Sequence, residues 1–287
     1  MADTHSPTGA TMNEHPVLLD TPAGAISLLV TEPEGPALAA AVLLHGAAGS
    51  RAGVNRIWAR LARSLASLGI VVVRLDYPGL GSSLGIEETG PRRHDATGDD
   101  RAVRAAVDWL KKRTKDLDLL VIGACYGGRV GARLAATERL AGLALIAPAL
   151  HTLGAERRSL RFRIQEGARI RLHALRNGRL SASQTRTAER ADSQVDHRVA
   201  RSIAVGIDRT ATWLLIGAED AWLNLLPELQ RQIGPSHSRL ELEVIPGVVL
   251  QGYRTREAQD AIIERVVAWA RRRPALQGTD RREGVKR

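Results

Sequence analysis

The run Leu119-Leu120-Val121-Ile122-Gly123-Ala124-Cys125-Tyr126-Gly127-Gly128 constrains this chain more than any other stretch. An apolar segment of strand character passes directly into Gly-x-Cys-x-Gly, with helical spacing beyond it. A buried strand that turns straight into a helix needs glycines where the two backbones meet, because a Cβ there would hold them apart. The central residue of such a turn is exposed at the helix N-terminus on a strained backbone. Here it is Cys125, the one cysteine in the chain, and the turn reads as a nucleophile elbow carrying sulfur.

Apolar spacing organises the rest. Val17 to Asp20 and Ile26 to Thr31 read as a hairpin about Thr21-Pro22-Ala23-Gly24. Leu38 to Leu44 and Ile70 to Leu75 read as buried strands, and Val54 to Leu68 as a helix with Ile57, Leu61, Leu65 and Leu68 on one face. Arg101 to Lys112 is amphipathic. Leu117 to Ile122, Leu143 to Ala147, Thr212 to Ile216 and Leu240 to Ile245 are further strands, with helices at Gly128 to Thr137, near Leu223 to Ile233, and at Arg256 to Arg272. Such alternation predicts an α/β fold with a mostly parallel, doubly wound sheet.

The pattern is interrupted once. Residues 151–209 carry helical spacing at Leu160, Ile164, Ile170 and Leu172, with no buried strand. The expected organisation is a flexible N-terminus (1–14), a core of 15–150 and 210–273, an Arg-rich helical lid (151–209) inserted after the strand that ends near Pro148, and a flexible basic tail (274–287). A lid there would cover the C-terminal edge of the sheet, where open α/β folds bind ligands.

Composition excludes several classes. With 287 residues the chain can bury a substantial core, and one cysteine rules out an intramolecular disulfide framework or a Cys-rich metal site. No apolar run approaches the roughly 18 residues of a membrane helix, and Met1 to Glu14 lacks the order of a secretion signal. A cytoplasmic protein with no metal, no cofactor and no membrane partner is expected. The net charge of +10 is almost all arginine; 151–209 holds thirteen Arg against six acidic residues. Nucleic acid is not expected, since recognition motifs and stacking aromatics are missing. An acidic carrier protein or a phosphate-bearing thioester suits the patch better.

Four motifs appear in order: His45-Gly46-Ala47-Ala48-Gly49-Ser50, Asp76-Tyr77-Pro78-Gly79-Leu80-Gly81-Ser82, the cysteine elbow, and Gly217-Ala218-Glu219-Asp220. In that order they resemble the α/β-hydrolase superfamily over roughly residues 15 to 273. The elbow cysteine followed by Gly-Gly is similar to the dienelactone hydrolase branch and to some thioesterase-like and acyltransferase-like members.

The resemblance implies site residues. Cys125 takes the nucleophile position, where a helix N-terminus lowers a thiol pKa from about 8.5 and favours thiolate. The backbone N–H groups of Tyr126 and Ala47 would form the oxyanion hole, and Asp220 would be the acid, with Glu219 its neighbour as the alternative. His45, Gly46, Tyr77, Arg161 and Leu250 are candidates for substrate contact, His45 being placed as a structural rather than catalytic residue.

The third triad position departs from the family. Aligning Val244-Ile245-Pro246-Gly247 with the family turn puts Leu250 where a histidine belongs, and no histidine follows His237. A leucine cannot take a proton. Gln251-Gly252-Tyr253 fills the rest of that loop with no chemistry assigned to it. His94 and His151 leave the C-terminal edge of the sheet and are the candidate substitutes; His173 and His197 are weaker. A thiolate also attacks an activated thioester without a base. The expectation is acyl transfer or hydrolysis of an ester or thioester, with coenzyme A thioesters or an acyl-carrier protein at the basic lid. The alternatives are a hydrolase scaffold that has lost catalysis and binds a ligand or partner, and a lyase working in the same pocket with Asp220 or His151 as base.

Overall fold

The computed structural model describes residues 13–22, 24–47, 49–87, 97–115, 117–150 and 195–277. Eight strands form one sheet: β1 (Glu14–Leu19), β2 (Ile26–Thr31), β3 (Ala39–Leu44), β4 (Ile70–Leu75), β5 (Leu119–Ala124), β6 (Gly142–Ile146), β7 (Thr212–Gly217) and β8 (Glu241–Ile245). Their order across the sheet is β1-β2-β4-β3-β5-β6-β7-β8. Only the β1–β2 and β2–β4 pairings are antiparallel; the others are parallel. The α/β-hydrolase fold expected from the motifs is the fold observed.

Period-2 alternation explains how both faces are covered. Ala40, Val42 and Leu44 of β3 join Val71 and Val73 in one core with α2 (Thr97–Thr114) and α3 (Tyr126–Thr137). Ala39, Ala41 and Leu43 point the other way, into a second core with α1 (Ile57–Ala66) and a C-terminal helix, Arg256–Arg271. The central strands are therefore buried along their whole length and almost entirely apolar, the buried Arg74 of β4 being the charged exception, as a sheet covered on both faces requires. Trp213, Trp222 and Trp269 are core residues, each at most 1% exposed. Among the described residues no helix is long and apolar enough to cross a membrane.

Three boundaries differ from the sequence reading. Glu14 already belongs to β1, where its carboxylate bonds Arg74 at 2.9 Å and Arg63 at 2.9 Å. Burial alone would raise the Glu14 pKa, but the two guanidiniums outweigh it and hold the carboxyl below its ordinary value. At the other end a short helix, Pro274–Gln277, begins what was read as the tail.

The third difference lies in the expected lid. His197–Arg209 forms α4, whose Val199, Ala200, Ile203 and Ile207 are buried in the same core as α3. Asp196 caps it, accepting from Arg198 N–H at 2.9 Å, and pairs with Arg129 of α3, itself buried. Burial works to raise the Asp196 pKa, yet Arg129 and the Arg198 N–H bring it below its ordinary value. This helix is a core crossover between β6 and β7. The remainder of the expected lid, 151–194, lies outside the described residues. After β7, α5 (Leu226–Ile233) precedes β8, and Arg256–Arg271 is α6.

Parallel registry aligns the C-terminal ends of the central strands. Leu44 pairs with Gly123, Gly123 with Leu145, and Gly217 with Ile245, so the four motif loops leave the sheet along one edge.

Candidate active site

The turn from β5 into α3 is tight because its glycines allow it to be. A Cβ on Gly123 would lie 2.3 Å from the Gly127 carbonyl oxygen, and one on Gly127 would lie 2.1 Å from the Leu44 carbonyl oxygen. A Cβ on Gly128 would lie 2.9 Å from the Pro148 Cβ. The first glycine brings strand to helix, the second brings the helix onto the loop after β3, and the third admits the chain leaving β6.

Cys125 bears the consequence. Its φ of 53° and ψ of −117° are strained for a side chain with a Cβ. Its N–H donates to Ile146 at 3.0 Å, and its carbonyl accepts from Gly128 at 3.2 Å and Ala149 at 3.0 Å. The thiol is half-buried, at the N-terminus of a helix of 12 residues.

The loop after β3 lies against this turn. A methyl group on Gly46 would stand 3.6 Å from Cys125 Cβ and 3.9 Å from Sγ. His45 is 1% exposed; its Nδ1 lies 2.7 Å from the Gly46 carbonyl oxygen, an acceptor, which puts the ring proton on Nδ1. The Tyr77 hydroxyl donates to the His45 carbonyl at 3.2 Å, and the two rings lie 4.4 Å apart. Tyr77 is fully buried and also meets Tyr126 edge-on at 5.7 Å. The Tyr126 hydroxyl donates to Asp99 at 2.7 Å; burial first, then the Asp99 charge, pushes this phenol well above its ordinary pKa. The side chains of His45 and Tyr77, expected at the substrate, thus brace the loop from behind. Gly46 is the part of it that meets the elbow.

The second loop is braced by its own aspartate. Asp76 accepts from the Arg51 N–H at 2.7 Å and the Ser82 N–H at 3.1 Å, and pairs with the Arg51 guanidinium. A Cβ on Gly81, at φ +55°, would overlap the Asp76 carboxylate at 2.3 Å.

Asp220 is buried at the end of β7. Its Oδ2 accepts from Gly217 N–H at 2.6 Å and its Oδ1 from Gln251 N–H at 2.6 Å. It ties the loop after β8 to the end of β7, where a Cβ on Gly217 would lie 2.1 Å from the Val248 carbonyl oxygen. Glu219 is exposed. Leu250 is fully buried in the core shared by α1 and α6, so its side chain is packing. His94, His151 and Arg161 lie outside the described residues.

One residue had no assigned chemistry in the sequence and is at the site. Tyr253 is 5% exposed, with φ 38°. The point reached by a methyl on Gly46, 3.9 Å from Cys125 Sγ, is 3.4 Å from the Tyr253 hydroxyl oxygen. Its ring meets Trp58 of α1 edge-on at 5.6 Å. Burial raises the Tyr253 pKa most, the negative charge of a Cys125 thiolate raises it further, and the Gly46 backbone and the Trp58 indole oppose them. A Gly-Tyr pair in the loop of a missing histidine was the available signal.

Residues 41–275 match the model of the alpha/beta hydrolase family. A segment of 91 residues, 32% of the chain, is 35% identical to the lysophosphatidylserine lipase ABHD12 of Macaca fascicularis and of Rattus norvegicus, and spans only 21% of those proteins. Among solved structures, an alpha-beta serine hydrolase homologue from Coxiella burnetii has a TM-score of 0.59 at 17% identity, covering 91% of this chain and 99% of that one. A carboxyl esterase from Bacillus coagulans has a TM-score of 0.62 at 13% identity, covering 91% and 98%. The structural likenesses establish the fold, and the family match spans the elbow, its neighbouring loops and most of the chain. The chain belongs to the alpha/beta hydrolase family.

Proposed function

We propose that this protein is an acyl-transfer enzyme in which Cys125 attacks the carbonyl of an ester or thioester. The observation that carries the reading is the strained, half-buried thiol at the N-terminus of α3, with Gly46 packed against it. A thiolate forms an acyl-S-enzyme of similar energy to a thioester, and the N–H groups of Tyr126 and Ala47 suit the oxyanion that precedes it. With Leu250 in the histidine position, no imidazole from that loop activates water. Transfer to a thiol or hydroxyl acceptor is therefore favoured over hydrolysis. The Arg-rich stretch containing Arg161 suits coenzyme A phosphates or an acyl-carrier protein. The relatives, a lysophosphatidylserine lipase and a carboxyl esterase, agree with an ester-type carbonyl as the reacting group.

The test is thiol release from an acyl thioester panel with and without an added thiol or alcohol acceptor. Acceptor-dependent turnover that disappears in Cys125→Ala is expected. Fast hydrolysis in water alone, equally dependent on Cys125, would overturn the transfer step; turnover that survives Cys125→Ala would overturn the nucleophile.

A second reading is a binding scaffold without catalysis. It is favoured by Leu250 and by an Asp220 carboxylate engaged with backbone N–H groups. It requires a Cys125 that does not react with acyl donors.

A further inference from the structure

The loop after β8 is shaped around one residue. Tyr253 takes a positive φ of 38°, a strained conformation for a bulky side chain that persists only where surroundings enforce it. Three contacts enforce it. Tyr253 N–H donates to the Leu250 carbonyl at 2.9 Å, its carbonyl accepts from the buried Gln259 amide at 3.0 Å, and Gln251 N–H is held by Asp220 at 2.6 Å. A strained tyrosine on the surface would relax. This one is buried, its hydroxyl beside the elbow thiol and the Gly46 loop.

The chemistry of that corner is specific. A phenol offers one proton to donate and lone pairs to accept with. The Tyr253 hydroxyl and Cys125 Sγ each lie within 4 Å of one point beside Gly46, which brings the hydroxyl proton to the reacting atoms. Its elevated pKa keeps that proton in place at neutral pH, so the group at the nucleophile is an acid in the resting enzyme, where a histidine would be a base.

We propose that Tyr253 is the proton donor of this site and that Asp220 is its positioning residue, acting through the Gln251 N–H. The proposal rests on Cys125 as acyl acceptor. Cys125 thiolate forms a bond to the acyl carbon, and the carbonyl electron pair moves onto oxygen. When the oxyanion collapses, the bond to the leaving sulfur or oxygen breaks with its electron pair, and that atom takes the Tyr253 proton. The phenolate then takes a proton from the incoming thiol or alcohol as this bonds the acyl carbon. The thiolate leaves, and both residues return to their starting forms. The carboxylate of a hydrolase triad, which orients an imidazole, here orients the loop that carries a phenol.

The test compares leaving groups. An alkyl ester, whose leaving alkoxide is far more basic than a phenolate, needs a proton on departure, and a nitrophenyl ester does not. Tyr253→Phe is expected to slow acyl-enzyme formation from the alkyl ester about 100-fold or more, the ordinary scale of a general acid, and from the nitrophenyl ester less than about threefold. Asp220→Asn is expected to show the same leaving-group signature at smaller size, whereas a purely structural role would slow both substrates alike. Equal effects on both substrates, or none, overturn the proposal. Where no acyl donor reacts even with the wild type, alkylation of Cys125 by iodoacetamide at pH 7 decides it. Removing a donor to the thiolate slows alkylation about threefold, the lost thiolate being partly offset by greater nucleophilicity, and an unchanged rate sinks the proposal. Loss of reaction in Cys125→Ala with none in Tyr253→Phe rejects the proton donor and retains the nucleophile. Reaction that persists in Cys125→Ala rejects both.

Discussion

Adding one methyl group at Gly127 separates the steric account of the elbow from any account based on helix propensity. A Cβ there would lie 2.1 Å from the Leu44 carbonyl oxygen, 2.5 Å from the Leu44 carbonyl carbon and 2.7 Å from the His45 carbonyl oxygen. Ordinary packing tolerates carbon–oxygen approaches of about 3.3 Å, so the overlap is about 1.2 Å, and it falls on backbone atoms that cannot rotate away. Overpacking of this kind costs about 1–3 kcal/mol, and three backbone clashes put Gly127→Ala at the upper end. The substitution gains at most about 1 kcal/mol of helix propensity, leaving a net loss of about 2 kcal/mol. Gly131 lies on the same helix and is the control. Its Cβ would meet the flexible ends of Leu143 at 3.2 Å and Val121 at 3.3 Å, so Gly131→Ala should fall within about 0.5 kcal/mol of the wild type, propensity gain and tightness cancelling. For a chain of this size about 2 kcal/mol is about 4–8 °C in melting temperature. Thermal unfolding of the two variants side by side reads the difference directly. Equal melting temperatures would refute the claim that helix α3 and the loop after β3 are in contact through a glycine.

The remaining predictions address the charges that hold the site. Arg129→Ala leaves the Asp196 carboxylate buried without its cation and should cost about 3 kcal/mol in urea denaturation, whereas Arg129→Met with Asp196→Asn, which keeps the cap on α4, should cost much less. Because the folded Asp196 pKa lies below the ordinary 3.8, this pair's contribution is complete above pH 3.8 and is lost as pH falls through the lower folded value, visible as a steeper acid limb that Arg129→Met with Asp196→Asn flattens. Asp220→Ala removes the acceptor of two backbone N–H groups and should cost about 3 kcal/mol, about 1.5 for each charge-assisted bond. At alkaline pH the sign reverses. Tyr126 and Tyr253 hold their protons above the ordinary phenol value of 10.0, so the folded state binds more protons than the unfolded chain there. Stability falls as pH rises through 10, and phenolate absorbance at those residues should appear together with unfolding; a full three-tyrosine titration in the folded protein would contradict this.

Much of this architecture is legible in the chain because it is local. Ile70 to Leu75 is bounded as read, since a largely apolar run opening on four β-branched residues and ended by Asp-Tyr-Pro-Gly has few other readings. The elbow follows from glycine sterics at Gly123 and Gly127 alone. The parts that escape depend on distant residues. Val199, Ile203 and Ile207, four residues apart, form a stripe on α4 that seats it in the core, but Arg198, Arg201 and Arg209 share the helix and draw attention to charge. Nothing local to α3 marks Arg129 as buried; its partner Asp196, 67 residues later, is what allows the charge inside. Tyr253 escapes for the same reason. Its surroundings, Trp58 and Gly46, come from elements at the opposite end of the chain, so Gly-Tyr in the histidine loop marks the position without showing what it meets.

Intact-protein mass measurement after brief exposure to acyl thioesters tests the central claim most directly. The account predicts an added acyl mass on the wild type, absent in Cys125→Ala and removed when a thiol or alcohol acceptor is supplied. An adduct that survives in Cys125→Ala, or a wild-type thiol that stays unmodified across the panel while iodoacetamide alkylates it, would contradict it.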